Sequence, residues 1–481
     1  MPEENTFFLQ VKDHCHRGLI TCHIEDKIID ATIIMRDRSI SSIIVCDDRG
    51  EPVGIMTDRD LRSKVVAARV DPTTSVVREV MTAPVISVNE EDTLFEVLYQ
   101  MSRHRIHRLG VVDAQNRLVG IINESDIIRL QNRSPQKLLR SIDEASNIAD
   151  LKVIHDNTEE LIIFLRGNGV STRDLIRLIS LLNDQISLRL IEILQKEQFP
   201  NLPKGCAYLV LGSEGRREQT LKTDQDNAII YADNLSAAEI ALIADFSQAL
   251  IDALIAIGVP ECPGGIMAKN EFWRRNITNW KTAIDGWITT PSGENILNFS
   301  MFSDMRTLWG DASLEHELQQ HVVQRAKENG IFLAHMAANV CRFPPPLGWL
   351  GRIKPEKSGP NMGKIDLKKG GIFPITEGVK TLALEAGVLE GSTTDKLHVL
   401  LEKEVLNSKQ VGDLEAAFNL LTFFRLRSQI GSVTNQRDPD NNVAPSSLNR
   451  VERGRLKVAL EVVQSFQGSL SSHFQLNMLR R

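Results

Sequence analysis

The chain is poor in the features that mark several common classes of protein. Six cysteines in 481 residues cannot supply a disulfide framework, which points to a reducing compartment, the cytoplasm. Positive charge is not in excess: 56 Lys and Arg stand against 62 Asp and Glu, a formal net charge of −6. A protein built to grip duplex DNA or an anionic membrane is normally basic, so neither nucleic acid nor membrane is an expected partner. The longest apolar stretches, such as Ala237 to Ile257, are broken by acids, here Glu239, Asp245 and Asp252, and read as amphipathic helices rather than bilayer spans. Met1-Pro2-Glu3-Glu4-Asn5 lacks the basic-then-apolar order of a signal peptide. No Gly-x-Ser-x-Gly elbow occurs, so a serine hydrolase has no support.

What is present is ordinary globular composition, 42% hydrophobic and 25% charged. At roughly 150 residues per domain the length predicts about three domains. An internal repeat organises the first quarter. Gly54-Ile55-Met56-Thr57-Asp58-Arg59-Asp60 recurs as Gly120-Ile121-Ile122-Asn123-Glu124-Ser125-Asp126, an offset of 120 − 54 = 66. The same offset carries Ile20 onto Ile86, Asp26 onto Asp92, Met35 onto Met101 and Asp47 onto Asp113. Each copy reads strand, helix, strand, turn, strand, helix. Together with Val80-Met81-Thr82-Ala83-Pro84 ahead of the second copy, these residues resemble two tandem CBS motifs, which pair into a Bateman module.

That resemblance implies an adenine nucleotide in the cleft between the motifs. A Thr or Ser hydroxyl there meets phosphate and an Asp meets the ribose hydroxyls. By position these are Thr57 with Asp60, and Asn123 with Asp126; Asn123 departs from the Thr/Ser pattern, so the first site is favoured. The competing reading makes both aspartates plain helix N-caps. CBS pairs often assemble face to face, so the resemblance also implies a homodimer. The cluster His14, Cys15, His16, Cys22 and His23 overlaps the first CBS strand and matches no familiar zinc spacing.

From Ser146 to Gln198 the spacing of Leu and Ile predicts two helices broken at Gly167-Asn168-Gly169, the second from Asp174 to about Lys196. This connector is either a transmitting element or an ordinary packing hairpin. The densest chemistry follows. Ala207 to Leu211 reads as a buried strand, then come Gly212-Ser213-Glu214-Gly215-Arg216-Arg217-Glu218-Gln219, Thr223-Asp224-Gln225-Asp226-Asn227 and a second strand, Ala228 to Tyr231. Side chains two apart on an extended segment share a face, so Asp224 and Asp226 project together. Two carboxylates about 4 Å apart repel by roughly 4 kcal/mol at an effective dielectric near 20, which a divalent cation relieves. Mg²⁺ suits such oxygen ligands, and a glycine after a strand lets backbone approach a triphosphate. Gly212 and Ser213 would hold the nucleotide tail, with Arg216 or Lys222 adding a cation.

This Gly-Ser, spacer, Asp-x-Asp order resembles the polymerase-beta-like nucleotidyltransferase superfamily, and within it the uridylyltransferases that modify the PII signalling protein. The superfamily supplies a third carboxylate from a later strand. The nearest equivalent here, Ala256-Ile257-Gly258, has no acid, and Glu261 and Asp304 are the remaining candidates. Cys262 to Asn270 and Phe302 to Arg306 resemble a narrower bacterial family of nucleotidyltransferases that carry CBS domains ahead of the catalytic module. In it Gly264-Gly265 would form a second close-approach loop and Lys269 a phosphate contact, while Asp304 and Arg306 could form an ion pair. Pro344-Pro345-Pro346 and Lys354 to Gly371 read as loops. The helices expected after them, Glu377–Ala386, Thr394–Glu404, Val411–Ser428 and Ser446–Phe474, resemble the helical substrate-binding region of the same enzymes. Lys364, Lys368, Lys369, Arg425 and Arg427 are its candidate contacts to an acidic substrate.

The expectation is therefore an α+β multidomain chain: a tandem CBS module (1–135, motifs about 8–66 and 77–132), a helical connector (136–200), a polymerase-beta-like nucleotidyltransferase core (201–335) and a C-terminal helical domain (336–481). Its expected activity is Mg²⁺-dependent transfer of a nucleoside monophosphate from a nucleoside triphosphate to an acceptor, a protein among the candidates, under control of adenine nucleotide. The alternative is a catalytically inactive nucleotide-sensing scaffold.

Overall fold

The computed structural model describes residues 10–478 except 18, 39, 105, 116, 125, 128–133, 168, 223, 349–350 and 436. Of the residues singled out above, Met1 to Asn5, the outer ends of the two CBS motifs (8–9 and 128–132), Ser125, Asn168 and Thr223 lie outside that set. The chain forms two compact units, Met1–Ser134 and Pro135–Arg481.

The smaller unit repeats one three-stranded sheet. In the first copy β1 (Thr21–His23) pairs parallel with β2 (Ser42–Cys46), which pairs antiparallel with β3 (Pro52–Thr57). In the second, β4 (Ser87–Asn89), β5 (Arg108–Val112) and β6 (Leu118–Asn123) repeat that order and sense. The helices Ile28–Asp37 and Leu94–His104 bury Ile28, Ala31 and Met35, and Leu94, Val97 and Met101, the 3.6-residue face read in the sequence. The repeat extends to the packing between copies. Thr82 bridges Ile55 and His16 bridges Ile121, partners again 66 apart (82 − 16 and 121 − 55). Glycine makes both crossings possible: a Cβ on Gly54 would lie 2.6 Å from the Met81 sulfur, and one on Gly120 would lie 3.0 Å from the His16 carbonyl oxygen.

The larger unit is built on a four-stranded sheet in the order β10-β7-β8-β9, from β7 (Cys206–Val210), β8 (Asn227–Tyr231), β9 (Arg274–Asn276) and β10 (Arg306–Gly310). β7 is antiparallel to both neighbours, and β8 and β9 are parallel. Every residue of β7 is buried, and alternation splits them between two cores. Cys206, Tyr208 and Val210 face the helices Pro135–Glu144, Ile148–Gly167, Thr172–Glu197 and Ala237–Ile257. Ala207 and Leu209 face Trp280, Trp287, Phe299 and Phe302. The connector helices thus pack into the same core as the strands that carry the motif.

Ala237–Ile257 is, among the described residues, one helix long and apolar enough to cross a membrane by length and composition. Its Ile243, Phe246, Leu250, Ile251, Leu254 and Ile257 are core residues of this unit. Ser236 and Glu239 form its capping box, and Gly258, at φ 111°, ends it in the left-handed region.

Helices Ile277–Thr289, Gly293–Phe302, Ala312–Lys327 and Gly330–Cys341 fill a stretch that the sequence patterning leaves unassigned. Beyond them, Phe373–Glu385, Thr393–Glu402, Ser408–Thr434 and Arg450–His473 enclose a third core around Ile375, Leu421, Phe424 and Leu460. The long Lys354–Gly371 loop ends in a short β11 (Ile365–Asp366), paired with β12 (Asn442–Val443), and a π-helical turn, Lys368–Ile372.

Candidate functional site

The motif loop leaves β7 at Leu211, whose N–H donates to the Asp226 carbonyl at 2.9 Å. That bond ties the glycine-serine bend to the acidic segment. Gly212 sits at φ 53°, and a Cβ there would lie 3.1 Å from Asp226 Oδ2 and 2.9 Å from Met301 Cε. The carboxylate therefore rests against the glycine. Gly212–Gly215 forms one helical turn. Gly215 has no room for any side chain, since its Cβ would stand 1.8 Å from the Asp304 carbonyl oxygen.

Asp224 and Asp226 lie just before β8 rather than within it. Between them Gln225 bridges Glu261 in parallel sense and is buried. Alternation puts Gln225 on one side and the two aspartates on the other. Asp224 is exposed and Asp226 half-buried. Burial pushes the Asp226 carboxyl up to about 6, and Asp224 adds to the push. A hydrogen bond from the Cys262 thiol and the charges of Lys368 and Arg216 oppose it. The thiol in turn is pushed up to about 11 by burial and by Asp226.

Two further cations come from the C-terminal helical region. Lys368, in the π-helical turn, is lowered by burial and by Arg425 and held up by Asp226 and Asp224. Arg425 lies on Ser408–Thr434 and is anchored through Nε to Asn441 Oδ1 at 2.7 Å. Burial lowers it to about 10, against the pull of Asp366 and Asp224. Of the five basic residues read as substrate contacts, these two reach the aspartate pair. Lys364 is paired with Asp440 at 3.3 Å, and Arg427 with Glu452.

Neither candidate for a third carboxylate joins the pair. Asp304 is buried and bound by Arg216 and by Lys380, the latter at 2.7 Å. Glu261 shares the Gln225 side of the segment and is paired with Lys269. That pairing also takes Lys269 out of the role of a free phosphate contact. Arg216, expected as a phosphate cation, is committed to Asp304 and to Glu218, the latter at 2.8 Å. The expected ion pair between Asp304 and Arg306 does not form: Arg306 bonds Asp184 at 2.8 Å, because β10 turns it away toward the Thr172–Glu197 helix. Lys222 is exposed, and its carbonyl accepts from Gln429 at 3.4 Å.

No group of three or more His, Cys, Asp or Glu side chains with metal-holding geometry occurs among the described residues. Two carboxylates beside Gly212 still match Mg²⁺, which commonly takes one or two protein carboxylates and fills its shell with water and phosphate oxygens. Asp226, raised by burial and by its like-charged neighbour, is the group such a cation would relieve.

In the smaller unit Thr57 and Asp60 close a capping box on each other. Thr57 N and Oγ1 donate to Asp60 Oδ2 at 3.0 and 2.7 Å, and the Asp60 N–H donates back to Thr57 Oγ1. Lys64 and Thr82 take the other oxygen, at 2.8 and 3.1 Å. The second copy is looser. Asp126 accepts from the Asn123 N–H at 3.0 Å and lies 3.3 Å from His16 Nε2, while the buried Asn123 Oδ1 has no hydrogen-bond partner.

Comparison with known families matches three descriptions to this chain. They are "CBS domain" over residues 11–67 and 77–133, "Putative nucleotidyltransferase DUF294" over 156–294, and "Putative nucleotidyltransferase substrate binding domain" over 330–474. The chain is 32% identical over 123 residues to the uncharacterized protein MK0525 of Methanopyrus kandleri, covering 26% of this chain and 63% of that one; it thus spans under two thirds of that relative. It is 31% identical to the uncharacterized protein YlbB of Bacillus subtilis, covering 29% of this chain and 94% of that one. Among solved structures it resembles the CBS domain pair of protein MJ0100 in complex with 5-methylthioadenosine and S-adenosyl-L-methionine. That match is 32% identical with a TM-score of 0.24, and covers 26% of this chain and 99% of that one.

Proposed function

Because the chain belongs to the DUF294 nucleotidyltransferase family and carries two CBS domains ahead of that module, we propose that it is a nucleotide-sensing transferase. It moves a nucleoside monophosphate from a triphosphate donor to an acceptor hydroxyl, in the manner of the uridylyltransferases that act on a signalling protein. The observation that carries this reading is the Asp226 carboxylate lying against Gly212 while Asp224, Lys368 and Arg425 act on the same place. Asp224 and Asp226 would hold a divalent cation, whose charge neutralises the phosphates as the transition state forms. Gly212 and Ser213, at the start of a helical turn, would offer backbone N–H groups to the triphosphate. Lys368 and Arg425 supply cations from the facing helical region, so donor binding draws on both sides of the larger unit. The acceptor oxygen attacks the α-phosphorus, its proton passes to solvent, and the bond to the β-phosphate breaks to release pyrophosphate.

The smaller unit is the sensor in this reading. An adenine nucleotide engages Asn123 and Asp126, where an unsatisfied amide oxygen awaits a donor, in preference to the closed box of Thr57 and Asp60. Control of transfer then requires that the nucleotide bind two states of the chain with different affinity. The working form is a cytoplasmic homodimer joined through the CBS units. Incubating the full chain with each α-labelled nucleoside triphosphate, Mg²⁺ and cell extract tests the activity. Label should enter an acceptor with the parent and not with Asp224→Asn plus Asp226→Asn; equal labelling by both overturns the proposal.

One observation favours a second reading, an inactive nucleotide-binding scaffold: Asp304 and Glu261 are both held by other cations. That reading gains if the parent binds ATP equally well with and without Mg²⁺ and labels nothing.

A further inference from the structure

A cavity of about 1010 Å³ lies wholly within the larger unit. Gly215, Arg216, Arg217 and Glu218 form part of its wall, whereas Gly212, Ser213, Asp224, Asp226, Lys368 and Arg425 do not. The motif loop thus divides it from the nucleotide site. Most charges around it are committed. Arg216 holds Asp304 and Glu218, Arg306 holds Asp184, and Asp395 accepts from the N–H and hydroxyl of the N-cap Ser392. Left over are Arg173 and Arg177, one turn apart on the Thr172–Glu197 helix, Arg217, and one acid, Glu390; none has a side-chain partner among the described residues, and the three cations outnumber the acid. Arg217 is further held in the left-handed region at φ 56°, a conformation rare for a residue with a Cβ.

A second, independent feature is a set of stranded polar atoms in the same wall. Ser180 Oγ, Thr307 Oγ1 and Asp304 Oδ1 are buried with no hydrogen-bond partner. Ser180 and Asp304 are only 2% and 5% exposed. Buried polar atoms are nearly always paired, so three around one cavity are a sign of a missing partner.

The geometry points to a second ligand site, for a small phosphate ester that also carries hydroxyl groups. Guanidinium forks take phosphate oxygens two at a time. The hydroxyls of Ser180 and Thr307 can donate or accept, but ionised Asp304 Oδ1 only accepts, so the ligand must bring a donor. The volume is at the upper end for small-molecule pockets and admits a sugar phosphate or nucleotide.

Calorimetric titration of the full chain with ribose 5-phosphate, and separately with inorganic phosphate, tests this. Ribose 5-phosphate should bind at least tenfold more tightly than phosphate. The Arg173→Ala, Arg177→Ala double variant, which removes two exposed and unpartnered side chains, should weaken it at least tenfold. Asp224→Asn with Asp226→Asn should leave its affinity unchanged, so failure here is separable from failure of the transferase reading. No binding to the parent, equal affinity for inorganic phosphate, or full binding by the double arginine variant would each overturn the site.

Discussion

Lys380 is the residue whose loss the structure prices most clearly. It is 1% exposed, and its Nζ donates to the Ser300 carbonyl and Asp304 Oδ2 at 2.7 Å and to Glu377 Oε1 at 2.9 Å. Lys380→Met keeps most of the volume and removes the charge. Glu377 then retains only the Ser300 hydroxyl, and Asp304 only Arg216. Removing one partner of a buried ion pair costs about 3–5 kcal/mol, chiefly from the acid left uncompensated. Because Arg216 stays on Asp304, the lower end, about 3 kcal/mol, is expected. Adding Glu377→Gln to the variant removes the stranded charge and should restore about half of the loss. All five tryptophans fall between Trp273 and Trp349, so guanidinium unfolding followed by tryptophan fluorescence reports the larger unit alone. A loss below about 0.5 kcal/mol for Lys380→Met, or no recovery in the double variant, would refute the reasoning from buried charge.

Gly215→Ala should block folding of the larger unit or cost more than about 4 kcal/mol, because the obstacle at 1.8 Å is the Asp304 backbone and not a side chain that can swing aside; soluble expression and the melting temperature read it. The Glu214 carboxyl is pushed up to about 8 by burial and by Asp184. Its folded form therefore keeps a proton that the unfolded chain has already lost, and stability falls as pH rises from about 4.5 to about 8. Glu214→Gln should remove that decline, gaining at least about 1 kcal/mol on the parent between pH 5 and pH 8 in urea unfolding; parallel pH profiles would count against it. Lys368→Ala should raise KM for the donor nucleotide about tenfold, about 1.4 kcal/mol, with stability unchanged; an unaltered KM would detach the helical region from the donor site.

The smaller unit was open to sequence reading because a repeat aligns with itself: one offset predicted the strands of both copies and also relates the bridges at Thr82 and His16 that join them. The two strands flanking the glycine-serine bend were legible for a similar reason, since all of that pattern lies within one strand-loop-strand motif. The other side of the site was not. Lys368 and Arg425 reach the aspartates through the packing of distant helices, and no local spacing distinguishes them from Lys364 or Arg427, which hold surface ion pairs. Asp304 misled for the opposite reason. Its neighbour Arg306 suggested a local pair, but Asp304 lies in the turn before β10 and shares no strand face with Arg306, which goes to Asp184 and leaves Asp304 to Arg216 and Lys380. The four helices from Ile277 to Cys341 were left unassigned, although Ile277, Trp280, Ile284 and Trp287 keep the three- and four-residue spacing of one buried face.

The account rests on Asp224 and Asp226 holding a divalent cation beside a triphosphate. Crystals grown with Mn²⁺ and an α,β-methylene nucleoside triphosphate test it directly through anomalous scattering. A manganese peak shared by the two carboxylates, with the triphosphate running past Gly212 toward Lys368, is the predicted result. A nucleotide bound elsewhere, or bound there with no manganese between the aspartates, would contradict it.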